Sequence, residues 1–297
     1  MAGSTPASET PEAPRAAGRA RASRPMSGTG RRLLVLSLLL GLGFCLPALL
    51  APLLAPFDPM ALDLAGSLEP PSAAHLLGRD EQGADILSRL LYGARISLVV
   101  GFSSVVVSAL VGVSVGLIAG YLGGWVDNLL MRLVDVLLAF PGLLLAIALV
   151  AVLGPGLGNV VIALSVLGWT GFARLVRAQV LSVRELDYVQ AARSLGAGPA
   201  RLMFRHILPN VTAPVLVQAS FSIAGAILAE ASLSFLGLGA PPGTPSWGAM
   251  LSEGKHVLWE APFVSIFPGA AIMAVVLGFN LFGDALADQL DPKRRER

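Results

Sequence analysis

The 297 residues are 55% hydrophobic and 13% charged, with a mean hydropathy of +0.73. That is too little charge to cover a soluble domain of this length. One cysteine, Cys45, excludes an internal disulfide, and three scattered histidines (His75, His206, His256) show no metal-ligand spacing.

The apolar residues fall in long blocks, the pattern of an all-α polytopic membrane protein. Residues 1–31, rich in Ala, Pro, Ser, Gly and Arg, read as a disordered tail. Residues 33–57 carry no charge; about 20 apolar residues cross a ~30 Å hydrocarbon core, so they form the first span. The stretch exceeds the roughly 7–15 residues of a signal-peptide core, which favours an uncleaved helix. A polar loop follows. Within it Ile86, Leu87, Leu90 and Leu91 share one helical face, which predicts a short amphipathic helix at the membrane surface. Residues 96–126 are charge-free and give the second span.

Residues 136–173 again carry no charge, too long a run for one crossing. The stretch Gly154-Pro155-Gly156-Leu157-Gly158-Asn159 should break it into spans at about 131–153 and 159–177. Asp135 is expected beside Arg132. A basic segment over 174–210 precedes the fifth span, about 211–236. A Gly/Pro-rich loop containing Trp247 leads to the sixth, 261–283, and the chain ends in a basic tail.

Six spans put both termini on one side. With that side cytoplasmic, 17 of the 21 basic residues lie inside, and only Arg79, Arg89, Arg95 and Lys255 lie outside. The expected divisions are a disordered cytoplasmic tail (1–31), a first span with an extracytoplasmic loop (32–94), a five-helix core (95–285) and a basic cytoplasmic tail (286–297).

The longest inner loop, about 185–208, reads as two short helices. Gly196 and Gly198 end the first, Pro199 starts the second, and Pro209-Asn210 leads into the fifth span. Ala191 and Ala192 leave a shallow surface where another protein can approach. The loop resembles the EAA loop of ABC importer permeases: Gln190, Ala191, Ala192, Gly196, Leu208 and Pro209 fall at that spacing, with Gln190 in place of Glu and His206 in place of Ile. The segment from His75 to Arg89, Tyr92-Gly-Ala-Arg-Ile-Ser-Leu98, Glu230-Ala-Ser-Leu-Ser-Phe-Leu-Gly-Leu-Gly239 and Pro245-Ser-Trp-Gly248 resemble the C-type permease of dipeptide, oligopeptide and nickel importers. Arg79 stands where that family usually has Thr, and Ala84 where it has Arg.

The resemblance implies a type I ABC importer permease fold in a bacterial inner membrane. It implies a second, B-type permease, two ATPase subunits that dock on Gln190, Ala191, Ala192, Gly196, Arg201, Arg205, His206, Leu208 and Pro209, and an extracytoplasmic substrate-binding protein. No phosphate-binding GxxxxGK[ST] motif is present in this chain. ATP and magnesium are therefore expected on the partner ATPases, with no cofactor, metal or nucleic acid held here. The cargo implied is a di- or oligopeptide, with nickel as the alternative. An ion-gradient-driven transporter is the reading from another class; it needs coupling-ion residues at mid-membrane.

Glu230, a carboxyl in the fifth span, is a candidate pathway or gate residue or a helix-packing partner. Gly112, Gly116, Gly120 and Gly124 make a smooth face for helix packing, within this chain or against the partner permease. Trp247 and Trp259 are candidate interfacial anchors or, for Trp247 in particular, a contact for the binding protein.

Overall fold

The computed structural model describes residues 43–290. The predicted tail 1–31, most of the first half of the predicted first span, and residues 291–297 of the predicted basic tail lie outside it. Residues 43–49 and Ala51–Leu54 are helical and belong to the first span.

Residues 55–85 form an irregular loop with a single 3₁₀ turn, Leu64–Gly66. Its backbone is cross-tied by Leu68 N–H to Asp80 O (3.0 Å) and Arg79 N–H to Glu69 O (2.9 Å). Arg79 pins it further, donating from Nε to Gly83 O at 2.7 Å and from Nη2 to Asp63 Oδ2 at 2.6 Å. The Arg79 guanidinium holds the Asp63 carboxyl below the usual carboxylate range. The arginine at 79 is therefore the clasp of this loop.

Helix α1, Ile86–Leu122, starts at an Asp85 N-cap whose carboxylate accepts from Ser88 N–H at 2.8 Å. It is continuous for 37 residues. This corrects the expected surface helix: residues 86–91 are the first turns of the span itself, and the expected 94/95 boundary falls inside it. Two contacts hold those turns in place. Arg89, only 2% exposed, pairs with Asp80 and with Glu253, and Gly93 packs against the Trp247 indole.

Gly123 and Gly124, with φ of 65° and 58°, turn the chain into α2, Gly124–Leu138. Their left-handed backbone suits glycine, which has no Cβ to clash. Helix α3, Gly142–Leu153, follows with Pro141 at its N-cap, and the two helices are bent by 87°. The expected span at about 131–153 is thus a broken one. Proline lacks the N–H that would continue α2 and disfavours helical geometry at Phe140 before it. The Gly154–Gly156 turn forms as expected, with Asn159 Nδ2 donating to the Leu153 and Gly154 carbonyls (3.0 Å each).

Helix α4, Leu157–Val183, packs along α1 in the most extensive helix–helix contact of the fold. Asp127 on α2 takes two hydrogen bonds from Arg177 on α4, at 2.5 and 2.6 Å. Asp135 pairs with Arg174 (2.5 Å), not with Arg132 as expected; the tertiary neighbour on α4 wins over the sequence neighbour.

Helix α5 is Asp187–Ser194 and α6 is Pro199–Phe235. Pro209 does not separate two helices, contrary to expectation. Residues Leu202–Ile207 form a π-helical segment, and the chain passes through Pro209 into the rest of α6. A wide π turn tolerates the proline ring and its missing donor where a regular turn does not. Helix α7, Trp247–Gly254, is capped by Ser246, and α8 is Phe263–Leu290.

Four helices (α1, α4, α6, α8) are long and apolar enough to cross a membrane, and the bent pair α2–α3 supplies a fifth crossing if counted as one span. With the first span only partly described, the six-span count rests on five such segments. Among the described residues the fold is all-α, with one isolated bridge between Arg79 and Asp85 and no strand.

Candidate functional site

The segment 184–208 folds as a compact knob at one end of α1, α4 and α6. Val189, Leu202 and Ile207 are buried together with Leu117, Val176, Val180, Val183 and Val211. The knob therefore shares a hydrophobic core with three long helices and cannot swing freely on its linkers. Arg184 ties it to α1 by donating from Nη1 to Gly120 O at 2.8 Å.

Helix α5 ends in a complete Schellman motif. Gly196 N–H donates to Arg193 O (3.0 Å) and Ala197 N–H to Ala192 O (3.1 Å), with Gly196 at φ +83°. This is the expected glycine stop, and it aims the chain at Pro199, the first residue of α6.

Gln190 is half-buried, and its Nε2 donates to the Arg184 carbonyl at 2.9 Å, closing the end of α4. An ionised glutamate has no hydrogen to donate there. The departure at 190 thus exchanges a charge for a cap. At 206 the bonding runs through the backbone, which any residue supplies: His206 O accepts from Tyr188 OH (3.3 Å) and Asn210 Nδ2 (2.7 Å).

Of the nine residues named for this site, Ala191, Gly196, Arg201, Arg205 and Pro209 are exposed, while Ala192 and His206 are half-buried like Gln190. Leu208 lines a different feature, a groove of about 540 Å³ shared with Val106, Leu110, Leu117 and Phe204. Sequence reasoning missed Leu195, 89% exposed at the knob's tip, and Phe204, 63% exposed. Both are large apolar side chains, and a leucine directly before the Gly196 stop is the signal that could have found the first.

The other named residues separate. Gly112, Gly116 and Gly120 all face α4; a Cβ at Gly116 would lie 2.6 Å from Ala173 O and 2.8 Å from Val176 Cβ. Their packing is internal to the chain. Gly124, with nothing within 4 Å of its Cβ position, belongs to the turn and not to that face. Trp247 is 1% exposed, donates from Nε1 to Leu90 O at 3.0 Å and meets Phe44 edge-to-face. That corrects its expected place as a binding-protein contact: an aromatic next to a Gly93 notch packs inward. Trp259, by contrast, is 95% exposed. Glu230 is fully buried, accepting from Ser97 Oγ and Ser234 Oγ at 2.8 Å each. It lies in helix packing rather than on an open pathway surface. Among the described residues no three His, Cys, Asp or Glu side chains gather as a metal site.

Residues 112–296, from the glycine face through the knob to α8 and beyond, match the family described as binding-protein-dependent transport system inner membrane component. The chain belongs to this family. It is an ABC importer permease and a multi-pass membrane protein. The permease is 47% identical over 264 residues to a dipeptide transport system permease protein of Alkalihalophilus pseudofirmus, covering 89% of this chain and 87% of the relative. It is 52% identical over 225 residues to a glutathione transport system permease protein of Pectobacterium atrosepticum, covering 76% and 75%. It is 49% identical over 256 residues to a di/tripeptide transport system permease protein of Pseudomonas aeruginosa, covering 84% of each.

Proposed function

We propose that this permease carries di- or oligopeptides inward across the bacterial inner membrane, as one half of a pathway completed by a B-type permease. Its termini and the 184–208 knob face the cytoplasm, in keeping with the basic-residue asymmetry. One of two ATPase subunits, which bind ATP and magnesium, docks on α5, the Gly196 stop and Arg201 and Arg205 in the first turns of α6. An extracytoplasmic binding protein delivers cargo to the opposite face, where the exposed Trp259 can meet it.

The observation that carries the peptide reading is the length of the likeness to relatives named for dipeptides, di/tripeptides and glutathione. The knob's build supports the coupling reading. It is rigidly cored against α1, α4 and α6 yet presents apolar Leu195 at its tip to a partner. A push on it displaces helices rather than linkers, so coupling is contact between packed two-state elements.

The test is uptake of a radiolabelled dipeptide by proteoliposomes holding this chain with its partner permease, ATPases and binding protein. Uptake is expected to require ATP and to survive collapse of the proton gradient. Uptake abolished by a protonophore with ATP present would instead favour a secondary transporter.

A further inference from the structure

We propose that Glu230 is a positioning residue for transport: its carboxyl fastens α1, α6 and the loop leaving α6 into one corner that moves as a body. Its two oxygens join α1 to α6, and Ser234 carries the bonding on to the loop. Ser97 Oγ, on α1, donates to Oε2, and Ser234 Oγ, one turn further along α6, donates to Oε1. Ser234 has a single hydroxyl hydrogen, committed to Glu230, so its oxygen lone pairs are free to accept. One of them takes Ala240 N–H at 3.2 Å. The bonding therefore runs Ser97 to Glu230 to Ser234 to Ala240, across two helices and into the Leu-Gly-Leu-Gly loop.

A carboxyl buried in a membrane helix is costly unless both oxygens are engaged. Here both are engaged, and Glu230 has no exposed surface with which to meet cargo. The packing around it leaves no slack. A Cβ at Gly101 would lie 2.9 Å from Ile227 Cγ1, one at Gly93 would lie 2.8 Å from Trp247 Cδ1, and one at Gly239 would run into Ser234. Small residues bring the backbones together, and the carboxyl supplies directional bonds that apolar contact cannot. The corner lies at the far end of α6 from the knob, and α6 is helical throughout from Pro199 to Phe235. Displacement of the knob thus reaches the outer loop through α6 only if that loop is fastened to it. This last step rests on the coupling reading above; the fastening itself does not.

Two measurements on the full transporter in lipid vesicles test the proposal. The first is ATP hydrolysed per dipeptide imported. Glu230→Ala and Ser234→Ala should each raise that ratio about tenfold or more, and the double variant no further than either alone, because both cut the same chain of bonds. Glu230→Gln should stay within about twofold of the unmodified protein, since an amide still offers an acceptor and a donor to the two hydroxyls. Uptake and hydrolysis falling together at a constant ratio would reduce Glu230 to a folding role and overturn the proposal. Loss in Glu230→Gln equal to that in Glu230→Ala would also overturn it, by showing that the charge itself is used. The second measurement needs no cargo: the distance between spin labels at Val99→Cys and Pro241→Cys in a Cys45→Ala background. It should be narrowly distributed in the unmodified and Glu230→Gln proteins and broadened in Glu230→Ala. An unchanged distribution would overturn the proposal even if the cargo proves not to be a peptide, whereas absent peptide uptake in the unmodified protein would count against the cargo reading alone.

Discussion

Gly116→Leu is expected to abolish accumulation of the assembled permease, while Gly171→Ala is expected to leave it intact. At Gly116 even a Cβ would sit 2.6 Å from the Ala173 carbonyl oxygen and 3.0 Å from Arg177 N. These are backbone atoms of α4 and cannot rotate away, so α1 and α4 must separate along their contact. Overpacking of this kind costs about 3 kcal/mol at the upper end of the usual range. At tenfold per 1.4 kcal/mol, that is a loss of roughly 100-fold in the folded-to-misfolded ratio. Gly171 lies on the exposed side of α4 with nothing within 4 Å of its Cβ position. Alanine there fits the helix better than glycine does. Size-exclusion of the detergent-extracted complex checks both variants; equal monodisperse yields would show that the Gly112–Gly116–Gly120 contact contributes little.

Gly196→Arg is expected to cut peptide uptake at least tenfold while ATP hydrolysis by the assembled transporter continues. Two effects act at this position and can be separated. The backbone is left-handed, at φ +83°, which costs roughly 1–2 kcal/mol for an ordinary L-residue. The Cβ direction, however, is open, so the arginine side chain projects from the knob's surface and obstructs what docks there. Gly196→Asn isolates the first effect, because asparagine tolerates left-handed geometry better than most residues. The asparagine variant should keep at least half of the uptake. If both variants transport equally well, docking does not use this surface. If both fail equally, with loss of the assembled complex, the Schellman turn matters for folding alone.

Much of the architecture was legible because lipid imposes strong rules on sequence. Charge-free runs located the spans, and the Gly154–Asn159 stretch located a turn, since proline and left-handed glycines leave no alternative there. The features that escaped notice depend on long-range contacts. Residues 86–91 looked like a surface helix because Arg89 interrupts the apolar pattern; only its pairing with Asp80 and Glu253 allows burial. Pro141 broke a span that averaged as uniformly apolar. Gly124 shared the four-residue spacing of Gly112, Gly116 and Gly120, yet the left-handed turn at Gly123–Gly124 took it off their face. Trp247 stood in a Gly/Pro-rich loop, where exposure is the default, and its burial required the notch that Gly93 provides 154 positions earlier in the chain.

The sequence of the knob predicts a helix, a glycine stop and a second helix, all of which form, but not that the second helix is the start of α6. Local signals around Pro209 indicate a break, and the π segment that carries the chain past it leaves no mark in composition. The consequence is mechanical: half of the knob is the first part of a membrane-crossing helix, so it has no linker to absorb a push.

The most direct measurement is the sidedness and partner of Leu195, the most exposed large apolar residue of the knob. In a Cys45→Ala background, Leu195→Cys should react with a membrane-impermeant maleimide in inside-out vesicles and not in intact spheroplasts. A short bifunctional reagent should join it to an ATPase subunit. Labelling from the outside, or efficient crosslinking to the binding protein instead, would contradict the topology and the coupling it supports.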